Sequence, residues 1–344
     1  MKRGILLLIC LTMALALPLR GVFAEPAGKK FNWRMTTPGT RGTILHEQHK
    51  FIAEHVKKAS GGRLNIEMFA AGELFPVFDA MRSVAKGVVE MCATYAGYQG
   101  GLDPAFISGS SLPGPMPNYD ELSMKMNLML PISRELYGKF GVYLVGLFAQ
   151  PPECFHSNRR ITKVADFKGL KVRSSALQGM LLEKLGCTVI KLASPEIYTA
   201  LQLGTIDAVE YAGFGTNWEM GFQEVTKYII EPTPHVQAGW GEIIVNPKAW
   251  KSLPPDLQAI LELTVQAGSA WMFTNQLEAD IKVRQKFIDA GVKVLIISPK
   301  EWAKIEKAAF KLWDEWAAKH PGNKWVQKEV ETSKYVARLF GHLR

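Results

Sequence analysis

The chain has 344 residues, 47% of them hydrophobic and 21% charged, and a formal net charge of +9. At roughly 150 residues per domain, that length suggests two domains, each large enough to bury a core. The basic residues are scattered, with no stripe or aromatic interleaving for nucleic acid, and past the N-terminus no apolar stretch is long enough to cross a bilayer.

Lys2 and Arg3, an apolar run from Ile5 to Leu17, and Val22-Phe23-Ala24 ahead of Glu25 read as a secretory signal peptide over residues 1–24. The run is short for a membrane span. Ile9 stands before Cys10 where a lipoprotein site wants a small residue. Removal after Ala24 takes away Lys2, Arg3 and Arg20, lowering the charge to +6, an excess that suits an anionic ligand. The expected location is the periplasm. Cys92, Cys154 and Cys187 remain, an odd number that allows one disulfide and leaves at least one thiol free. Their apolar neighbours favour buried small hydrophobes.

Phe31 to Met35 alternates as a first strand, and Thr36-Thr37-Pro38-Gly39-Thr40 is a loop. A helical pattern covers Ile44 to Ala59 and stops at Gly61-Gly62. Inside it, His46-Glu47-Gln48-His49 has the spacing HExH instead of HExxH and reads as solvated helix histidines. Leu64 to Phe69 is the second strand, Phe78 to Lys86 a helix, and Val88 to Thr94 the third strand. This alternation marks a parallel sheet with crossover helices. Ligands bind beyond the carboxyl ends of such strands, so the loops at Thr36, Gly72 and Tyr95 to Tyr98 are candidate pocket walls.

The pattern returns further on. Val142 to Phe148 is a strand, Phe167 to Arg173 leads into another, Ala176 to Leu185 is a helix and Thr188 to Leu192 a strand. Ser194 as N-cap with Pro195 starts the next helix, which Gly204 stops. Ile206 to Tyr211 is again a strand. From Leu257 to about Ala290 a helix is long enough to cross between domains, and Pro299-Lys300-Glu301 starts another whose Trp302, Phe310, Leu312, Trp313 and Trp316 read as a core face.

No phosphate loop, dinucleotide glycine fingerprint, nucleophile elbow or zincin motif occurs. A secreted enzyme acting on a carboxylic acid, with Cys154 or Glu210 as its reactive group, is the rival reading.

Three pieces decide between these classes. They are Gly169-Leu170-Lys171-Val172-Arg173, the helix closed by Leu185-Gly186-Cys187, and the run from Ser194-Pro195-Glu196 to Asp207-Ala208-Val209-Glu210. With Ala71-Gly72-Glu73-Leu74 and Asn246-Pro247-Lys248-Ala249-Trp250 they closely resemble the DctP-type substrate-binding proteins of TRAP transporters. The resemblance implies an α/β clam-shell of two domains, each a mainly parallel sheet flanked by helices, with a long helix crossing both. The expected division is 25–150 plus about 240–275 for domain I, and 151–239 plus about 276–344 for domain II. It also implies capture of a small organic acid for delivery to integral-membrane transporter subunits. In the family an arginine at the place of Arg173 pairs with the ligand carboxylate, for which a guanidinium fork is well matched.

The branch that binds 2-oxo and 2-hydroxy acids, some with a metal ion, is the nearest. There a Gln, a Glu and a second Glu line the site. Gln150 and Glu210 match two of these, the third falls at Gln237, and Tyr211 stands where Trp is favoured. An amide for a carboxylate removes a charge that would hold a cation, so a metal-free site is expected. A cation, if bound, would use Gln150, Glu210 and Gln237, as in a metal-assisted binder of pyruvate or lactate. Glu210 then calls for a ligand donor, which raises an aromatic 2-oxo acid, aromatic acetate or aromatic amino acid. Phe214, Trp218 and Trp240 read either as stacking partners or as core. One of Tyr95 and Tyr98 is expected to donate to the ligand. Glu73 either edges the pocket or bonds backbone amides. A monomer without a resident cofactor is expected.

Overall fold

The computed structural model describes residues 28–108, 112–114, 118–150, 152–234 and 239–343. The predicted signal peptide and Gln237 therefore lie outside the described residues.

Three parallel strands open the fold, β1 (Phe31–Thr36), β2 (Leu64–Phe69) and β3 (Met91–Thr94), joined by α1 (Ile44–Ala59) and α2 (Ala80–Ala85). The alternation in β1 puts Phe31, Trp33 and Met35 inside, where they meet Ile52 and Val56 of α1 and Leu261 and Val265 of a later helix. Thr43 caps α1 by accepting from the His46 amide, and Gly61 and Gly62, both at positive φ, turn the chain out of it. The histidines of the His46-Glu47-Gln48-His49 stretch are not solvated as expected. His46 and His49 are buried, and His49 Nδ1 lies 2.8 Å from Thr37 Oγ1 and 2.9 Å from the Leu45 carbonyl. Burial pushes the His49 pKa down to about 3.

After α3 (Ala105–Ser108) and α4 (Tyr119–Lys139), β4 (Tyr143–Gln150) runs to the edge of this lobe and the chain crosses to the second. There β5 (Cys154–Ser157), β6 (Lys171–Arg173), α5 (Ala176–Lys184), β7 (Thr188–Ile190), α6 (Ser194–Gln202), β8 (Ala208–Tyr211), α7 (Phe214–Glu219), α8 (Phe222–Val225) and β9 (Tyr228–Glu231) follow. The chain returns as β10 (Gly239–Val245) and α9 (Pro247–Ser252), crosses once more in α10 (Pro255–Asp289), and ends with β11 (Lys293–Ile296), α11 (Pro299–Lys319) and α12 (Lys324–Leu339). Ala193, not Ser194, caps α6. Its amide donates to Glu196 Oε2 at 2.8 Å.

The first sheet has the order β2-β1-β3-β10-β4 and the second β11-β9-β5-β8-β6-β7. Both are mixed, less parallel than the strand-helix alternation suggests. The exceptions are β10 and β5, each antiparallel to both neighbours. These are the first strands after a crossing. A chain entering a lobe through the cleft arrives where the parallel strands end, so it must run against them.

The 35-residue α10 rises about 1.5 Å per residue and reaches both lobes, packing on α1 and β4 with its first half and on α7 and β11 with its second. Gly268 permits the first contact, since a Cβ there would lie 2.7 Å from Ile52 Cγ1. The C-terminal hairpin also touches both lobes. α11 packs on α5, but α12 packs on α4 and α3, so the stretch 276–344 does not stay with the second lobe as expected. Asn323 caps α12 and donates to Asp103 Oδ1, and Trp313 Nε1 donates to the Pro113 carbonyl at 2.7 Å. Cys92, Cys154 and Cys187 are buried free thiols. No helix among the described residues is long and apolar enough to cross a membrane.

Candidate ligand-binding cleft

Strand ends from both lobes converge at the crossings. β4 ends at Gln150, β6 at Arg173 and β8 at Glu210-Tyr211, while Tyr95 and Tyr98 begin the turn after β3. These six residues line a cavity of about 70 Å3 together with Trp240, Glu153 and Gln178.

Arg173 is 5% exposed. Its Nε donates to the Leu192 carbonyl at 3.2 Å and its Nη1 to the Glu210 carbonyl at 3.0 Å. These bonds spend two of five donors and fix the plane of the fork. Nη1 lies 3.6 Å from Glu210 Oε1, and the guanidinium sits 5.1 Å from the centre of the Tyr211 ring. The Tyr98 side chain is within hydrogen-bonding reach of Arg173. Tyr95 OH donates to Gln150 Oε1 at 2.8 Å. Of the two tyrosines, Tyr98 is thus the one whose bond points at the arginine.

Glu210 is 3% exposed, and burial, with the neighbouring charge of Glu153, pushes its carboxyl well above the usual range. Glu153 stands close enough to Glu210 for a hydrogen bond. Its charge reaches Tyr95, Tyr98, Arg173 and Tyr211 as well. Glu153 was not among the residues singled out in sequence, although it stands alone as a charge in Pro151-Pro152-Glu153-Cys154-Phe155, one step before a strand. Gln178 was missed too. It opens α5, and its Oε1 has no hydrogen-bond partner among the described residues.

Three candidate residues fall elsewhere. Glu73 is held by Arg41, whose Nε is 3.0 Å from Glu73 Oε1, and by the Ala70 amide at 2.8 Å from Oε2. The backbone reading of Glu73 therefore holds, and the residue does not line the cavity. Phe214 packs against His156 and Phe287, and Trp218 meets Phe287 edge-on. Both are partly buried against the core of the second lobe. Trp240 alone of the three aromatics reaches the cavity, buried to 2% exposure.

The backbone is strained at this place. Among the described residues Ala176 (φ 49°) and Ala212 (φ 29°) are the non-glycine residues at positive φ, and both line the cavity. Such strain costs about 1–3 kcal/mol per residue and collects at functional sites. Gly97 and Ala176 meet across the cleft, where a Cβ on Gly97 would stand 2.9 Å from that of Ala176. The lobes are therefore in a closed arrangement.

As a metal site the donor set is thin. Gln150 Oε1 and the carboxylates of Glu153 and Glu210 offer up to five oxygens with a guanidinium beside them, whereas calcium takes six to eight. Among the described residues no group of three or more His, Cys, Asp or Glu converges. The described side chains by themselves leave such a cation short of ligands, and Gln237, the third candidate, lies outside the described residues.

The pattern of the family described as bacterial extracellular solute-binding protein, family 7 (DctP), matches residues 36–320. The chain belongs to this family. A DctP-type relative, a monocarboxylate 2-oxoacid-binding periplasmic protein of Nostoc, is 30% identical over 86% of this chain and 82% of its own. Two solved TRAP solute-binding proteins share the clam-shell. That of Bordetella bronchiseptica, with copurified calcium and picolinate, superposes with a TM-score of 0.80 at 27% identity, covering 91% of this chain and 95% of the other. That of Pseudoalteromonas atlantica, with sodium and pyruvate, gives 0.82 at 26% identity, with the same coverage of 91% and 95%. This DctP-type protein is thus a TRAP solute-binding protein of a periplasmic family, whose members are substrate-binding receptors serving membrane transporter subunits.

Proposed function

We propose that this protein captures one small organic acid between its lobes by pairing the ligand carboxylate with Arg173, and presents the closed complex to integral-membrane TRAP subunits. The observation that carries this reading is Arg173 itself, a permanently charged fork fixed by two backbone carbonyls at the wall of an interlobe cavity. Gln150, Glu210, Tyr211, Tyr98 and Trp240 surround the rest of the ligand, with Tyr95 holding Gln150. The first lobe comprises 25–150 with about 240–275, the second 151–239 with about 276 to the end of α11, and the hinges are the crossings near 150 and 240 and α10.

Cavity size favours the small end of the expected ligands. At about 70 Å3 the cavity exceeds the room one water needs but falls well short of the roughly 300 Å3 or more of a drug-sized ligand site. Of the two readings of Phe214 and Trp218, stacking on an aromatic ligand or packing with the core, the core reading is the one their ring contacts support.

Capture without turnover fits the thiol chemistry. Cys154 is buried and its thiol is pushed well above the ordinary value, mainly by burial, so the thiolate a nucleophile needs is suppressed. We further infer export by cleavage after Ala24, action as a monomer, and no resident cofactor. The test is a thermal-shift and calorimetric panel of small carboxylic acids against the mature protein and Arg173→Ala. Saturable, one-to-one binding that the variant loses is the expected outcome, with the acid recovered unchanged. Binding unaffected by the variant overturns the reading.

A further inference from the structure

Closure joins the lobes at points away from the cavity. In the first lobe the loop after β1 runs through Pro38 to the start of α1; in the second the turn after β7 leads into α6, and α7 ends at Glu219. Ser194 Oγ donates to the Pro38 carbonyl at 3.1 Å, and Ser194 is only 1% exposed there. Glu219 Oε2 accepts from the Ile44 amide at 3.1 Å, and Lys191 Nζ stands 4.4 Å from the centre of the Phe78 ring. Each contact ties one lobe to the other, and none of these six residues lines the cavity. We propose that Ser194, supported by Glu219, latches the closed cleft: both are positioning residues that set how long a captured acid stays, without touching it.

The latch is coupled to the anion site through the turn that carries it. Arg173 Nε donates to the Leu192 carbonyl, two residues before Ser194, so the guanidinium that receives the carboxylate also fixes the turn that reaches the other lobe. Ser194 is within hydrogen-bonding reach of Tyr211 as well, a residue of the cavity wall. Phe78 packs edge-on against Tyr98 at 4.8 Å. When the lobes part these groups return to water, so the contacts favour the closed state alone and weight the balance toward it. The two arms differ in strength. The Ser194 bond is buried, where parting leaves no substitute until water enters. The Glu219 bond is exposed; it places a carboxylate on an orphan amide of a helix start, but Glu47 in the same first turn of α1 opposes it. The start of α6 does not need the Ser194 hydroxyl, because Ala193 is its cap and the Ala193 amide is held by Glu196. Ser194→Ala therefore removes the latch and keeps the helix.

The latch rests on the capture reading, since it acts only when an acid is there to close on. Stopped-flow binding of pyruvate, lactate and phenylpyruvate to the mature wild type, Ser194→Ala, Glu219→Ala and the double variant tests it. For an acid that binds, dissociation is expected to quicken about two- to tenfold in Ser194→Ala, as loss of one hydrogen bond implies, less in Glu219→Ala and most in the double variant. Association should be unchanged, because the latch forms after encounter, and the ligand-free melting temperature should hold, because the open form does not make these bonds. Equal dissociation in wild type and double variant overturns the latch and leaves acid capture standing. A ligand-free melting temperature that falls in Ser194→Ala makes the hydroxyl a plain structural group and overturns the latch too. A wild type that takes up none of the three acids overturns the latch together with the capture reading.

Discussion

Arg173 stands at the end of β6, and its side chain serves the cleft and two carbonyls at the cleft's edge. Arg173→Lys keeps the charge and loses the fork. Since a charged hydrogen bond is worth about 1.5–3 kcal/mol, calorimetry should show the dissociation constant rising about ten- to a hundredfold, together with a lower unliganded melting temperature, because the Leu192 and Glu210 carbonyls lose their donor. Glu242 gives a second residue-scale prediction. It is 1% exposed on β10, and burial drives its carboxyl well above the ordinary 4.5. A carboxyl raised in the folded state contributes stability below its unfolded value and loses it as pH climbs through the folded one. Glu242→Gln should therefore melt above the wild type at about pH 8, the gap closing below about pH 4.5; a gap of constant size would contradict the assignment. Gln150, Arg173, Glu210 and Tyr211 were legible because the resemblance covers the strand ends that carry them. Glu153 was not, since its role comes from the turn between β4 and β5, which brings it back against β8. Phe214 stayed open between ligand and core, because a residue just past a strand end can turn either way.

At the scale of elements, α1 and β2 were readable to the residue, because their periodicity, Thr43 cap and glycine stops all agree. The crossing strands β5, β9 and β10 are buried on both faces or too short to alternate, so no period marks them. α4 carries Pro131 in its interior and was not read as a helix at all. α12 was missed although Asn323 caps it and Trp325 and Val326 follow at once. The contact between the turn after β3 and the start of α5 gives the element-scale prediction. Gly97→Val would place side-chain atoms against Ala176 and oppose closure by about 1–3 kcal/mol, the usual cost of overpacking. Ligand affinity should fall about five- to a hundredfold, while the ligand-free melting temperature, measured with the lobes free to part, should hold.

For the whole molecule, three crossings and a hairpin that grips both lobes restrict motion to opening and closing about the segments near 150 and 240. A ligand shifts that balance only through contacts it makes with both lobes at once. Here Arg173 and Glu210 come from the second lobe, and Tyr98 and Trp240 from the first. Small-angle scattering should thus show a monomer whose radius of gyration falls when the ligand is added, with Arg173→Ala remaining at the larger value. An equal radius with and without ligand would argue against closure on binding.

The central claim is that one small carboxylate is held on Arg173, and native mass spectrometry of freshly purified protein, followed by denaturation and identification of what is released, tests it most directly. The account predicts one small acid per chain, absent from Arg173→Ala. A released molecule with no carboxyl group, or one retained equally by the variant, would contradict it.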